Sequence, residues 1–583
     1  MVARHAIYSY HCQYVYQPYS GGMHVKVTSS GSRQYVQLVE SFRDPGGKVK
    51  KRTVATLGRL DQIAGDLDSV VRGLLKVSGK TVEGPDTPSI QFDPARAFGD
   101  LWALNELWNT LGFSGLRKIF RTTRHYIPVE ACIRAMVFNR LCDPESKLGV
   151  LRWLETVAMP DMPNDGIIHQ HLLRSMDALI DHQEQVDAVT ATLLRPLIDQ
   201  DLSIVFYDLT TIRAEGLSQQ DGDHRQFGMS KEGIVARQFM LGVVQTADGL
   251  PIYHEVFDGN TAETKTLLPT VETVLARFPS IKRLILVADR GLLSLENLES
   301  LKGMPLGSGH PLEFIIAVPG RRYSEFTELL EGFHAQECVA PEKESIGERE
   351  WQDQRLIIAH DPARAREQQA KRQQSINELT KMADEWTGKL DSQDEGKTFR
   401  GRKLSDSGAK ARFYHAVCDA HLARIIRVNL KSELFTYDID EKALGLAKQN
   451  DGKLLLITNA QDLTPQEVID RYKSLADIER GFRVLKSELE IGPVHHRLPE
   501  RIRAHAAICF MALILYRVMR MRLRASESSL SPERALEVLR RVQRHQIRLD
   551  DATDPVTGIS TMTLEQTDLF KALKIKKPLS AQA

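Results

Sequence analysis

The run from 203 to 318 limits the possible folds most, because short apolar segments alternate there with turn and helix signals in a fixed order. Ser203-Ile-Val-Phe-Tyr-Asp208 reads as a buried strand, and Arg237–Thr246 as a second. The turn Ala247-Asp-Gly249 leads into a third, Ile252–Phe257. After Asp258-Gly-Asn260 the spacing predicts a helix from about 263 to 277. A fourth strand, Leu284-Ile-Leu-Val-Ala ahead of Asp289, a short helix and a fifth strand, Glu313–Val318, complete the run. Three strands in succession can pair as an antiparallel meander, whereas the last two need helical crossovers to join in parallel. Asp208 and Asp289 end the first and fourth strands. One aspartate after an apolar strand is commonly a turn former or a helix cap. Two at matching places point into the crevice where open sheets bind ligands.

A third carboxylate, Glu479, lies on a segment running from Tyr472 to Lys486 that reads as a helix. At helical pitch Tyr472, Glu479, Arg483 and Lys486 fall within about 60° of one another. Ile478, Phe482, Leu485 and Leu489 occupy a different face. The bland alternative is a solvated face with a Glu479–Arg483 pair. Converging, the three carboxylates suit two magnesium ions, with manganese as a substitute, because such ions take hard oxygen ligands and keep several waters. Two such ions can activate a water or a 3′-hydroxyl and stabilise a leaving oxygen at a phosphodiester.

Composition sets the frame for this site. With 583 residues the chain exceeds one compact core. Its net charge of +1 offers no global attraction to nucleic acid, so a DNA surface must come from clustering of its 77 Lys and Arg. The six cysteines are scattered without a C-x-x-C pair, which argues against a zinc module and suits a reducing cytoplasm. No secretory signal opens the sequence, and Ala506–Tyr516 is too short for a bilayer, so it reads as a core helix and no membrane partner is expected. His495-His496 resembles a metal pair, yet adjacent residues do not readily face one ion; a loop touching DNA, or plain exposure, fits better. Asp248 and Asp258 read as turn residues, and Glu263 is left outside the site.

The element order is that of a ribonuclease-H-like core. The expected fold class is multidomain α/β: such a core with a mixed sheet, interrupted by a β-rich insertion domain and flanked by a β-hairpin N-terminal region and helical domains. Expected boundaries are 1–95 for the hairpin and linker, 96–200 for a helical, DNA-binding domain, and 201–320 for the first part of the core. The insertion would span 321–450, the second part of the core 451–520, and a helical tail 521–583. In the hairpin, segments 36–42 and 49–56 flank Asp44-Pro-Gly-Gly47. Lys48, Lys50, Lys51 and Arg52 make either a charged edge or a DNA-backbone contact. Trp108, in step with Leu101 and Leu104, reads as core, whereas Arg117–Arg124 suits phosphate or solvent equally.

The chain resembles insertion-sequence transposases of the DDE type, in the group whose glutamate sits in a Tyr-x2-Arg-x3-Glu-x6-Lys motif. Tyr472, Glu479 and Lys486 match at that spacing, and Leu475 stands where the motif has arginine. Gly259-Asn-Thr-Ala-Glu263, Asp289-Arg-Gly-Leu292 and the stretch from Leu485 to Arg497 resemble the same group. The resemblance implies that Asp208, Asp289 and Glu479 bind the metals and that Tyr472 and Lys486 touch DNA phosphates; Arg483 or Arg480 stands as the candidate for the missing arginine contact. It also implies double-stranded DNA partners, namely terminal inverted repeats and target DNA, and a homodimer or higher oligomer on them in a bacterial cytoplasm. The alternatives are a ribonuclease-H-like nuclease without strand transfer and an inactive DNA-binding relic.

Overall fold

The computed structural model describes residues 22–63, 66–79, 90–121, 127–162, 166–199, 203–216, 222–229, 233–292, 294–336, 343–396, 403–475, 481–549 and 555–579. The chain divides into two units, 1–95 with 545–558 and 96–544 with 559–583.

In the first unit, strands Met23–Ser30, Arg33–Arg43 and Val49–Arg59 form an antiparallel meander, one strand more than the expected hairpin. The Asp44 turn closes as its residues dictate. The Asp44 carboxylate accepts the Gly46 and Lys48 amides at 3.0 and 3.1 Å, and Gly47 takes a φ of 80°. Two of the four hairpin cations are paired on the neighbouring strand and turn, Lys50 with Asp44 at 3.3 Å and Arg52 with Glu40 at 2.7 Å. Ile90–Phe92 pairs antiparallel with Ile547–Leu549 in the same unit.

The second unit opens with helices, as the periodicity between 96 and 200 requires: Gly99–Leu111, Val129–Cys142, Lys147–Thr156, His169–Asp181 and Gln183–Leu194. Trp108 is fully buried, stacks on Phe113 and donates its indole N–H to Glu130 at 2.8 Å, so it is a core residue as expected. Helix Pro499–Ala525 packs against Val129–Cys142 and His169–Asp181. At 27 residues it is long and apolar enough to cross a membrane, but 89% of its apolar window is buried inside the protein. A helix apolar on every side is stable there because neighbours cover all of it.

Among the described residues the central sheet has nine strands. From one edge the order is Ser345–Trp351, Gln354–His360, Lys453–Thr458, Glu313–Ala317, Leu284–Ala288, Ser203–Arg213 and Val235–Thr246. Gln226–Met229 and Pro251–Asp258 both pair with the last of these. Ser203–Arg213, Leu284–Ala288 and Glu313–Ala317 run parallel; the other pairings are antiparallel. The five strands read from sequence thus stand in the order third, second, first, fourth, fifth, with meander and crossovers as expected.

Three expectations are corrected. The first strand does not end at Asp208. It runs to Arg213 because Leu-Thr-Thr-Ile is strand-favouring and finds partners in Gln238–Gly242, which leaves Asp208 in mid-strand. The insertion is not β-rich. Strands 345–351 and 354–360 join the central sheet, and the remainder is mainly helix: Pro362–Asp394, Asp406–Asp419 and Glu441–Asn450 around the short pair Ile426–Val428 and Tyr437–Ile439. This excursion has its own apolar cluster, centred on Phe413, Trp386 and Phe435, so a polar helix exterior hides a packed interior. It leaves and returns at hydrogen-bonded neighbours, the Asp361 amide donating to the Gly452 carbonyl at 2.9 Å. Gly452 has a φ of 67° and leaves no room for a Cβ against the Asp361 carbonyl. Finally, the tail is not all helical: besides helices Pro532–Arg540 and Leu564–Ala572 it holds strands Gln543–Leu549 and Val556–Ile559.

Candidate active site

Register brings the two aspartates together. Ala288 lies opposite Tyr207 in the parallel pairing, so the next step along both strands sets Asp289 beside Asp208. Neighbouring strands lie about 4.8 Å apart. Alternation also sets which face they share. Phe206, Ile285 and Val287 point into an apolar cluster with Val468, Ile469 and Leu475, and Asp208 and Asp289, two residues beyond Phe206 and Val287, fall on that same side. Asp208 is only 7% exposed, and its Oδ1 accepts the Leu209 amide at 2.7 Å.

The helix that covers this face is Pro465–Lys473. It starts with a capping box, Thr464 and Glu467 each satisfying the other's backbone amide, with Pro465 in the first turn. Its inner side buries Val468 and Ile469 and brings Tyr472 over the sheet, where the phenol donates to Asp289 Oδ1 at 3.0 Å. Burial, and then the Asp289 charge, push the Tyr472 phenol well above its ordinary pKa, with Arg290 pulling the other way, so it stays a donor. Leu475 explains its departure from the motif. It is 6% exposed within the apolar cluster, a place where a guanidinium would be cut off from solvent.

Glu479 lies outside the described residues, as does the rest of 476–480. The helix expected through Tyr472 and Lys486 does not run at one pitch. Pro465–Lys473 ends with Ser474 as its C-cap, and Val484–Glu488 is a π-helical turn. The single-pitch projection of Tyr472, Arg483 and Lys486 onto one stripe therefore fails, since the helix carrying Tyr472 is capped at Ser474 and the π turn shifts the phase of Lys486. Tyr472 faces Asp289, Arg483 is exposed, and Lys486 lines a cavity of about 390 Å³ with Arg213, Gln238, Gly492 and Pro493. Gly481 lets this segment press on the core: a Cβ there would stand 2.9 Å from the Gln245 amide and 3.0 Å from Arg517 Nη2.

One acidic side chain left outside the site approaches it. Glu263 places its carboxylate against Gly291, in the turn Asp289-Arg-Gly, where any Cβ would collide with it. The sequence signal was the glycine itself, two residues after a site aspartate. Arg290 in that turn also lines a basic cavity of about 450 Å³ with Arg364, Lys371 and Arg372 from the excursion.

The paired aspartates offer the hard oxygens that a divalent ion of the magnesium type prefers. Among the described residues no group of three His, Cys, Asp or Glu side chains is placed to hold a metal. Residues 199–515 match a family model described as the transposase DDE domain, and residues 24–86 match one described as the IS1634 family transposase, N-terminal domain. No curated protein matches. A solved structure similar to this chain is that of a piggyBac transposase synaptic complex with hairpin DNA. The two share 8% identity over 76% of this chain and 78% of that one, with a TM-score of 0.36.

Proposed function

The chain belongs to the transposase DDE domain family, whose model covers 199–515, and from that premise we propose that Asp208, Asp289 and Glu479 together hold two divalent ions. Its function is DNA transposition; what is proposed here is how these residues perform it. The observation that carries the reading is the register that sets Asp289 beside Asp208 on one face, under the helix leading towards Glu479.

Magnesium, or manganese in its place, would supply the activated water or 3′-hydroxyl and stabilise the leaving oxygen. The protein's part is placement. The Leu209 amide holds one oxygen of Asp208, and the Tyr472 hydroxyl holds one of Asp289, so both carboxylates are oriented before any substrate arrives. A metal ligand's outer partner normally acts in this way, and it gives Tyr472 a positioning role in place of the phosphate contact that the resemblance implies. Arg290, next to Asp289, supplies positive charge beside the carboxylates for a strand backbone, and Lys486 and Arg483 add cations on the segment that comes after Glu479. The core is ribonuclease-H-like in strand order, its substrates are terminal inverted repeats and target DNA, and it works as a homodimer or higher oligomer.

The test is cleavage and strand transfer on a plasmid target with ends taken from the flanking inverted repeats. Asp208→Asn, Asp289→Asn and Glu479→Gln should each abolish cleavage by at least a thousandfold while leaving DNA binding intact. Retained cleavage in one variant removes that residue from the site. Ends that are cut but never joined would favour a plain nuclease.

A further inference from the structure

A third cavity, of about 610 Å³, lies where the loop from Glu490 to Leu498 meets the starts of three helices, Lys147–Thr156, His169–Asp181 and Pro499–Ala525. Its size is that of a ligand site and far above the ~30 Å³ a water occupies. It shares Gly492 and Pro493 with the cavity of Lys486, so the two adjoin along one loop.

Its lining is one-sided in charge. Lys147, 7% exposed, faces the cavity and has no hydrogen-bond or ion-pair partner among the described residues. His505, 6% exposed, bonds the Ile491 carbonyl through Nε2 at 2.9 Å, and its Nδ1 finds no partner. Arg497 is exposed at the rim beside His496. Arg140 and Arg501 add charge but are engaged: Arg140 donates to the Leu489 and Glu490 carbonyls at 3.3 and 3.1 Å, and Arg501 pairs with Asp177 at 2.8 Å. Of the two acids present, Glu145 packs over Gly149 in the first turn of its helix, and the Glu490 side chain is exposed. Helix His169–Asp181 has no side-chain cap at the end that meets the cavity, so its positive dipole end faces an anion there, whereas helix Pro499–Ala525 opens on a proline that has no N–H and its Arg501 amide already donates to the Leu498 carbonyl.

We propose that this cavity is an anion subsite that takes one phosphate group of a nucleic-acid strand, held by Lys147, Arg497 and the uncapped start of helix His169–Asp181. An unpaired buried ammonium is costly without a counter-charge, and a phosphate supplies one. Burial, with Arg140 nearby, pulls Lys147 down to about 7, as expected of a cation waiting for its partner. That the phosphate comes from DNA rests on the transposase reading; affinity for an oxyanion does not.

The experiment is calorimetric titration of the full chain with inorganic phosphate, repeated in the presence of a single-stranded oligonucleotide. Wild type and Asp208→Asn should bind phosphate alike, which separates this subsite from the carboxylate centre. Lys147→Met should weaken binding at least tenfold and Arg497→Ala, at the exposed rim and harmless to folding, about threefold. The oligonucleotide should displace phosphate from the wild type. Absence of saturable binding, or equal affinity in all variants, overturns the subsite; bound phosphate that no oligonucleotide displaces overturns its assignment to a strand.

Discussion

Replacing Tyr472 with Phe isolates one hydrogen bond. The ring stays in the apolar cluster beside Val468 and Leu475, so the fold should be unaffected, but Asp289 loses the donor 3.0 Å from its Oδ1. A hydrogen bond to a charged group is worth about 1.5–3 kcal/mol. At about 1.36 kcal/mol per decade this is roughly ten- to 150-fold, in line with the ~10–100-fold typical of lost outer partners of metal ligands. Because the bond orients the carboxylate, the loss should appear as weaker metal binding. The divalent-ion concentration for half-maximal cleavage should rise by one to two decades, with the rate recovering at saturating metal. Direct titration with manganese, followed by its electron spin resonance, should report the same shift without reference to activity. An unchanged metal requirement would refute the positioning role. A reduced salt dependence of DNA binding instead would return Tyr472 to a phosphate contact.

Three further outcomes are expected. Leu475→Arg, which restores the family motif, should destabilise the protein by about 3–5 kcal/mol, because the charge enters the apolar cluster unpaired; a denaturant midpoint equal to wild type would disprove that placement. Gly481→Val should cost about 1–3 kcal/mol against buried Gln245 and Arg517 and lower cleavage by displacing the segment that comes after Glu479. Normal cleavage would show that the segment tolerates the shift. Lys147 makes a pH prediction. Its folded value of about 7 lies below the ordinary 10.5, so below pH 7 the ammonium is charged in both states and its burial opposes folding in full. Stability should therefore rise as pH climbs from about 7 to 10.5, by an upper bound of roughly 5 kcal/mol at about 1.36 kcal/mol per pH unit. The advantage of Lys147→Met over wild type in urea unfolding should shrink between pH 6.5 and 9.5. A constant difference would contradict the depressed value.

Local pattern controls the part of the fold that is legible in the residues alone. The strands at 203, 237, 252, 284 and 313 announce themselves by apolar runs and turn residues, and their order reflects which neighbours can pair without a crossover. The adjacency of Asp208 and Asp289 is implicit in that order. Trp108 is legible because its helical spacing with Leu101 and Leu104 favours a core place over a base-stacking one. The rest depends on partners remote in sequence. Lys453–Thr458 looks like any short apolar strand, and nothing local says that it inserts between Glu313–Ala317 and Gln354–His360. Helical projection fails at Tyr472 because it assumes one pitch, whereas the chain caps at Ser474 and makes a π turn after Arg483. The β-rich character expected of the excursion follows from the family resemblance, whereas its own long polar run, Pro362–Asp394, is helical.

The hydrogen bond between the Asp361 amide and the Gly452 carbonyl has a consequence for ancestry. Some ninety residues depart and rejoin at touching points, so the excursion is a cassette plugged into a single socket. Such a cassette can be lengthened, trimmed or exchanged during descent while the strands bearing the aspartates keep their spacing. A deletion that joins 361 to 452 through a tight glycine turn should leave the sheet standing, with the aspartates at their present spacing.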